Sequence, residues 1–147
     1  VGEKKYHALF EKAAKKYPEK FGVCLRFDQE LAHWIEAGSD MFLMPSRYEP
    51  CGLNQLYSMK YGTIPIVRAT GGLDETVEQV EPAKGTGTGF KFEEYDSKAL
   101  LSVIQHAIQQ FGNQALWRKI QKNAMSKDFS WEASAKKYIN LYKKLLQ

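Results

Sequence analysis

Two short runs of uninterrupted apolar residues, Met41–Met44 and Ile64–Val67, bracket a segment of helical character, and this arrangement constrains the fold more than any other feature of the chain. A strand with one wet face alternates apolar and polar residues, whereas a continuous run is expected where a parallel sheet is covered on both faces. Parallel neighbours need a crossover connection, usually a helix of right-handed path. The intervening stretch supplies one: a loop from Pro45 to Pro50, a helix from about Gly52 to Tyr61, and a turn at Gly62. The same order precedes it. Phe21–Leu25 is a short strand-like run, and Asp28 can cap a helix that carries Leu31, Ala32, Trp34 and Ile35 on one face as far as Gly38. Strands alternating with helices predict an α/β domain with a parallel sheet and flanking helices.

Outside this core pattern the chain is mostly helical. Tyr6, Leu9, Phe10, Ala13, Ala14 and Tyr17 recur at helical spacing from Lys4 to Tyr17, and Pro18 ends the pattern. Residues 69–89 are glycine-rich and loop-dominated, with a short helix expected around Asp74–Gln79. From about residue 97 helical spacing returns in three segments, Ser97–Phe111, Gln114–Ser126 and Trp131–Leu146, with Asp96 and Ser130 as N-caps. There is no repeat or long linker, so one domain over residues 1–147 is expected. The chain opens on Val1 in what reads as the middle of a helix, as expected of a piece of a longer protein.

Composition removes several classes of function. With 44% hydrophobic and 26% charged residues the chain is an ordinary globular sequence, not a disordered one. A net charge of +4, with lysines spread along helices, argues against a nucleic-acid partner. No run approaches the roughly 18 apolar residues of a membrane helix, and no signal-peptide core opens the chain, so a reducing compartment without membrane attachment is expected. Cys24 and Cys51 lie in unlike contexts, and His7, His33 and His106 have no metal-ligand spacing, so neither a disulfide framework nor a metal site follows. Trp34, Trp117 and Trp131 are expected to pack in the core.

Ligands of open α/β sheets bind at the carboxyl ends of the strands, where loops converge and helix N-termini present free N–H groups. Two loops fit: Pro45–Leu53 after the first apolar run, and the loop holding Thr70-Gly71-Gly72 after the second. Prolines on both sides restrict Glu49, and Gly52 permits close approach to the backbone as the next helix starts. An anionic phosphate could be received there, with Glu49 as a fixed acceptor for hydroxyl groups. The competing reading is a surface ion pair between Arg47 and Glu49 beside a rigid turn, with the glycine pair as a plain turn.

Three blocks in this order, Pro45-Ser46-Arg47-Tyr48-Glu49-Pro50-Cys51-Gly52-Leu53-Asn54-Gln55, then Tyr61-Gly62-Thr63-Ile64-Pro65, then Thr70-Gly71-Gly72-Leu73, resemble the C-terminal domain of the glycogen and starch synthases. The resemblance covers nearly the whole chain, and the Glu-Pro-Cys-Gly-Leu form is its most specific part. It implies a Rossmann-like parallel sheet with flanking helices, the incomplete C-terminal half of a retaining GT-B glycosyltransferase. By the same resemblance Glu49 matches the glutamate that supports positive charge at the anomeric carbon of the donor glucose. Cys51, Gly52 and Leu53 match backbone positions against the glucose hydroxyls, Asn54 a position near the phosphates or ribose where many relatives carry threonine, and Thr70, Gly71 and Gly72 the second donor loop. Phe27 matches an aromatic position that stacks on adenine; an ordinary core phenylalanine is the alternative. Tyr57 stands where many GT-B transferases carry a second glutamate, a difference the glycogen-synthase group shares.

The implied activity is transfer of glucose from ADP-glucose to the non-reducing end of an α-1,4-glucan with retention, without a cofactor or metal. The implied partner is an N-terminal GT-B domain of the same parent chain, so the fragment alone is expected to be inactive. The implied location is cytoplasmic in a bacterium and plastidic in a plant. A sucrose- or trehalose-forming GT-B transferase and a non-catalytic glucan-binding module are the alternatives.

Overall fold

The computed structural model describes residues 3–146. It contains two compact units divided in sequence between Ala32 and His33. In the first, helix α1 spans Lys4–Lys16, with Lys15 and Lys16 in the last turn, where cations suit the helix dipole. Its apolar stripe is present but buries no residue, although the rings of Phe10 and Phe21 stack at 6.2 Å. The expected strand Phe21–Leu25 does not form. A strand is held by the N–H and C=O groups of a neighbour, and within this unit the segment has no ladder to join. Helix α2, Gln29–Ala37, starts as expected, with Asp28 Oδ1 accepting the Leu31 N–H at 3.0 Å. That bond, and then the Arg26 guanidinium at 2.9 Å, hold the Asp28 carboxyl below the usual carboxylate range.

The second unit runs β1 (Met41–Met44), α3 (Asn54–Tyr61), β2 (Ile64–Arg68), α4 (Gly72–Thr76), β3 (Phe90–Phe92), α5 (Ser97–Phe111), α6 (Gln114–Met125) and α7 (Trp131–Leu145). The strands form one parallel sheet in the order β1-β2-β3, with Met41 opposite Ile64 and Ile66 opposite Phe90. Strand β3 is absent from the sequence reading because its Phe-Lys-Phe alternation lasts only three residues. Among the described residues β1 closes one side of the sheet, and Leu43 is 44% exposed, so there its continuous apolar run does not have both faces buried. Strand β2 is the true central strand, with Ile64 through Val67 buried. Pro65 is tolerated there because the β3 ladder begins one residue later, at Ile66, so its missing N–H removes no rung.

Alternate residues of β2 feed two cores. Ile64 and Ile66 join Met59, Phe90, Phe92, Val103, Trp117 and Ile120, while Val67 joins Leu73 and Val77 of the α4 region. Trp117 packs edge-on to Phe111 at 5.1 Å and stacks on Phe90 at 6.2 Å. The other two tryptophans depart from expectation: Trp34 is 68% and Trp131 91% exposed. On α2 the buried position is Glu36, because its main-chain carbonyl receives the Thr63 hydroxyl and its carboxylate lies 3.5 Å from Ser58 Oγ. The C-terminal helices follow the sequence closely. Asp96 caps α5 through Lys98 and Ala99, Ser130 caps α7 through Ala133, and Asn113, unanticipated, caps α6 through Leu116.

Candidate functional site

Because all three strands are parallel, the loops after β1 and β2 leave the same edge of the sheet. The structure brings them into direct backbone contact. Gly72 N–H donates to the Glu49 carbonyl at 3.2 Å. A Cβ on Gly71 would overlap that same oxygen, and one on Gly72 would overlap the Cys51 carbonyl. The glycine pair is therefore more than a turn: side chains at these positions would hold the two loops apart. Gly71 also sits at φ 48°, a region that L-residues avoid.

The first loop is fixed at both ends. Arg68, at the end of β2, donates through Nε to the Ser46 carbonyl at 2.8 Å, through Nη2 to the Arg47 carbonyl at 2.5 Å and through Nη1 to the Glu93 carbonyl at 3.1 Å. At the other end Gln55 Nε2 donates to the carbonyls of Cys51 and Gly52, both at 3.1 Å, and to Thr76 Oγ1 at 3.2 Å. Sequence reasoning gave neither residue a role. A charged residue closing a buried strand at its carboxyl end was a usable signal for Arg68; Gln55 enters only as the end of the first family-like block, since a glutamine in the first turn of a helix is ordinarily solvated.

Glu49 stands between these anchors, half-buried, with Ser46 Oγ 3.5 Å from Oε2. No ion pair joins it to Arg47; that guanidinium lies instead over the Tyr95 ring, 5.9 Å from its centroid, beside Arg68 at 5.5 Å. The surface ion-pair reading is thus excluded. Gly52 has φ 74° and leads into α3, whose N-cap residue Leu53 makes no side-chain capping bond. The first N–H groups of α3 consequently face outward without a capping side chain. Asn54 is exposed at the first helical position, and Thr70 is half-buried in the second loop. A separate groove of about 320 Å³ lies between α3 and the α6–α7 connection, bordered by Leu56, Tyr57, Lys60, Lys127 and Phe129, and of the two loops it touches only Leu53.

Of the residues singled out from sequence, Glu49, Cys51, Gly52, Leu53, Asn54, Thr70, Gly71 and Gly72 come together here. Phe27 stands in the other unit, where its ring is 94% exposed, which excludes an ordinary core phenylalanine. Both cysteines are free and exposed. Among the described residues no cluster of three or more His, Cys, Asp or Glu could hold a metal ion, and no helix is long and apolar enough to cross a membrane. His33 lies against the rings of Tyr57 and Tyr61, and His106 meets the edge of Phe90.

A parallel sheet whose strand-end loops present an acid and an open helix N-terminus is the arrangement in which open α/β proteins bind anionic ligands. Residues 1–126 match the sequence profile of the family described as "Glycosyl transferases group 1". The chain belongs to that family. It is 53% identical over 146 residues, 99% of its length, to a glycogen synthase of Koribacter versatilis, and 52% identical over 144 residues to one of Fervidobacterium nodosum. It spans about 30% of the length of these curated relatives. Among solved structures, the catalytic domain of starch synthase IV from Arabidopsis thaliana, bound to ADP and acarbose, superposes with a TM-score of 0.79 at 33% identity, covering 93% of this chain and 29% of that one. The fold is accordingly that of part of a GT-B glycosyltransferase.

Proposed function

We propose that this chain is the donor-binding C-terminal part of a glycogen or starch synthase, which transfers glucose from ADP-glucose to the non-reducing end of an α-1,4-glucan with retention of configuration. The observation that carries the reading is the interlocked pair of loops, which holds Glu49 beside the open N-terminus of α3. The ADP in the starch synthase relative and the names of the bacterial relatives support the choice of donor and product.

In this reading the backbone at Cys51, Gly52 and Leu53 lies against the glucose hydroxyls and the diphosphate against the start of α3, where the helix dipole favours negative charge. Glu49 accepts from the sugar hydroxyls and stabilises the positive charge that grows at the anomeric carbon as the bond to the diphosphate breaks. Retention requires the acceptor oxygen to arrive on the face the diphosphate leaves. Neutralisation of the leaving group by basic side chains and helix dipoles, without a divalent ion, is part of the proposal. So is a second, N-terminal domain of the parent chain, which supplies the rest of the site, and Phe27 stacking on adenine. Bacterial relatives favour a cytoplasmic location over a plastid.

The test compares the full-length parent chain with residues 1–147 alone, using ADP-, UDP- and GDP-glucose as donors and a maltooligosaccharide as acceptor. Elongation by the parent with ADP-glucose as the best donor, and none by the segment alone, is expected. Glucan binding without any nucleotide-sugar turnover in the parent would refute the transferase reading.

A further inference from the structure

Gln55 is completely buried, although it occupies the second position of α3. Its amide nitrogen serves three acceptors, the carbonyls of Cys51 and Gly52 and the hydroxyl of Thr76, while its Oε1 is buried without a partner. Turning the amide over would set that oxygen against two carbonyl oxygens, so the surroundings fix its orientation. A buried acceptor left open is rare in native proteins, and an apolar side chain of the same size would avoid it. What the glutamine provides that an apolar residue does not is donors for the last two carbonyls before the helix. In a trans peptide the N–H points opposite to the C=O of the preceding residue. Drawing the Cys51 and Gly52 carbonyls inward to Gln55 therefore turns the N–H groups of Gly52 and Leu53 outward. Neither has an acceptor among the described residues. A Cβ on Gly52 would come within 2.5 Å of Gln55 Oε1, so glycine and glutamine are fitted to each other.

We infer that Gln55 is a positioning residue: it aims the N–H groups of Gly52 and Leu53 at the sugar and phosphate oxygens of a nucleotide-sugar donor and keeps the Glu49 loop seated on α4 through Thr76. The inference rests on the donor-loop reading above. Its test uses the full-length parent chain with Gln55→Met, which keeps the volume and removes the donors, and Gln55→Glu, which turns a donor into an acceptor. Thr63→Val serves as a control, because Thr63 is equally buried and bonds two carbonyls, those of Glu36 and Ser39, away from the loop.

Both Gln55 variants are expected to raise the KM for ADP-glucose at least tenfold and to lower kcat, with the glucan KM unchanged. Hydrogen exchange over residues 49–56 should also quicken at least tenfold. Thr63→Val should lose thermal stability with unaltered kinetics. Wild-type donor KM and kcat in folded Gln55→Met, or an equal kinetic loss in Thr63→Val, overturns the assignment. If the wild-type parent uses no nucleotide sugar while exchange still quickens in Gln55→Met, the donor reading fails and the clamp on the loop stands.

Discussion

Replacing Gly71 by alanine tests the interlocking of the two loops more directly than any change to a charged residue. At φ 48° and ψ −131° the backbone at Gly71 lies where only glycine is comfortable, so alanine there costs about 1–3 kcal/mol before any contact is counted. The new Cβ would also overlap the Glu49 carbonyl, and since non-bonded carbon and oxygen rest at roughly 3.5 Å, the loops must separate by about 1 Å. That movement breaks the bond from Gly72 N–H to the same carbonyl, worth about 1 kcal/mol net. A loss of about 2–4 kcal/mol follows, read by urea denaturation of the parent chain. Displacing a positioned catalytic group by about 1 Å lowers turnover on the order of 100-fold. Gly112→Ala is the control: its φ of −59° is helical and its nearest neighbour is the Gln109 carbonyl at 3.3 Å, so a change below about 1 kcal/mol and normal turnover are expected. If Gly71→Ala proves as mild as Gly112→Ala in both assays, the loops are not held by that contact.

Glu49→Ala in the parent chain should reduce turnover by orders of magnitude, on the order of 100-fold or more, while circular dichroism and melting stay near wild type; a near-normal rate removes Glu49 from the chemistry. Asp96→Ala, which strips the α5 cap, should cost about 1 kcal/mol by thermal denaturation without touching the donor KM. Burial first of all pushes the Glu36 carboxyl above its ordinary range, partly countered by His33 and the Ser58 hydroxyl. A raised folded-state pKa means that stability is lost as pH rises from the unfolded value through the folded one, so Glu36→Gln should raise Tm more at pH 7 than at pH 4; equal shifts at both rule out burial of the charge as the cause. Trp117→Ala should cost about 3–5 kcal/mol, since the ring is enclosed between Phe90 and Phe111.

Sequence by itself determined the elements whose signals are local. Helical spacing and side-chain caps depend on neighbours three or four residues away, so α5, α6 and α7 and the caps at Asp28, Asp96 and Ser130 fall where the sequence places them. The Pro45–Leu53 block likewise singled out its own loop by local signals, since its prolines restrict the backbone around Glu49 while Gly52 permits the positive φ it adopts. Only tertiary structure decided what lies across from each residue. Among the described residues Phe21–Leu25 has strand composition but no ladder to join, Phe90–Phe92 has little composition but joins β2, and the apolar run of β1 is paired on one side alone. Glu36 and Gln55 are buried while Trp34 and Trp131 are exposed, because burial belongs to the packed neighbours and not to the side chain. The function of the glycine pair was settled the same way: Gly71 and Gly72 are required by the carbonyls of Glu49 and Cys51, some twenty residues distant in sequence and in contact only once the parallel sheet has brought both loops to one edge.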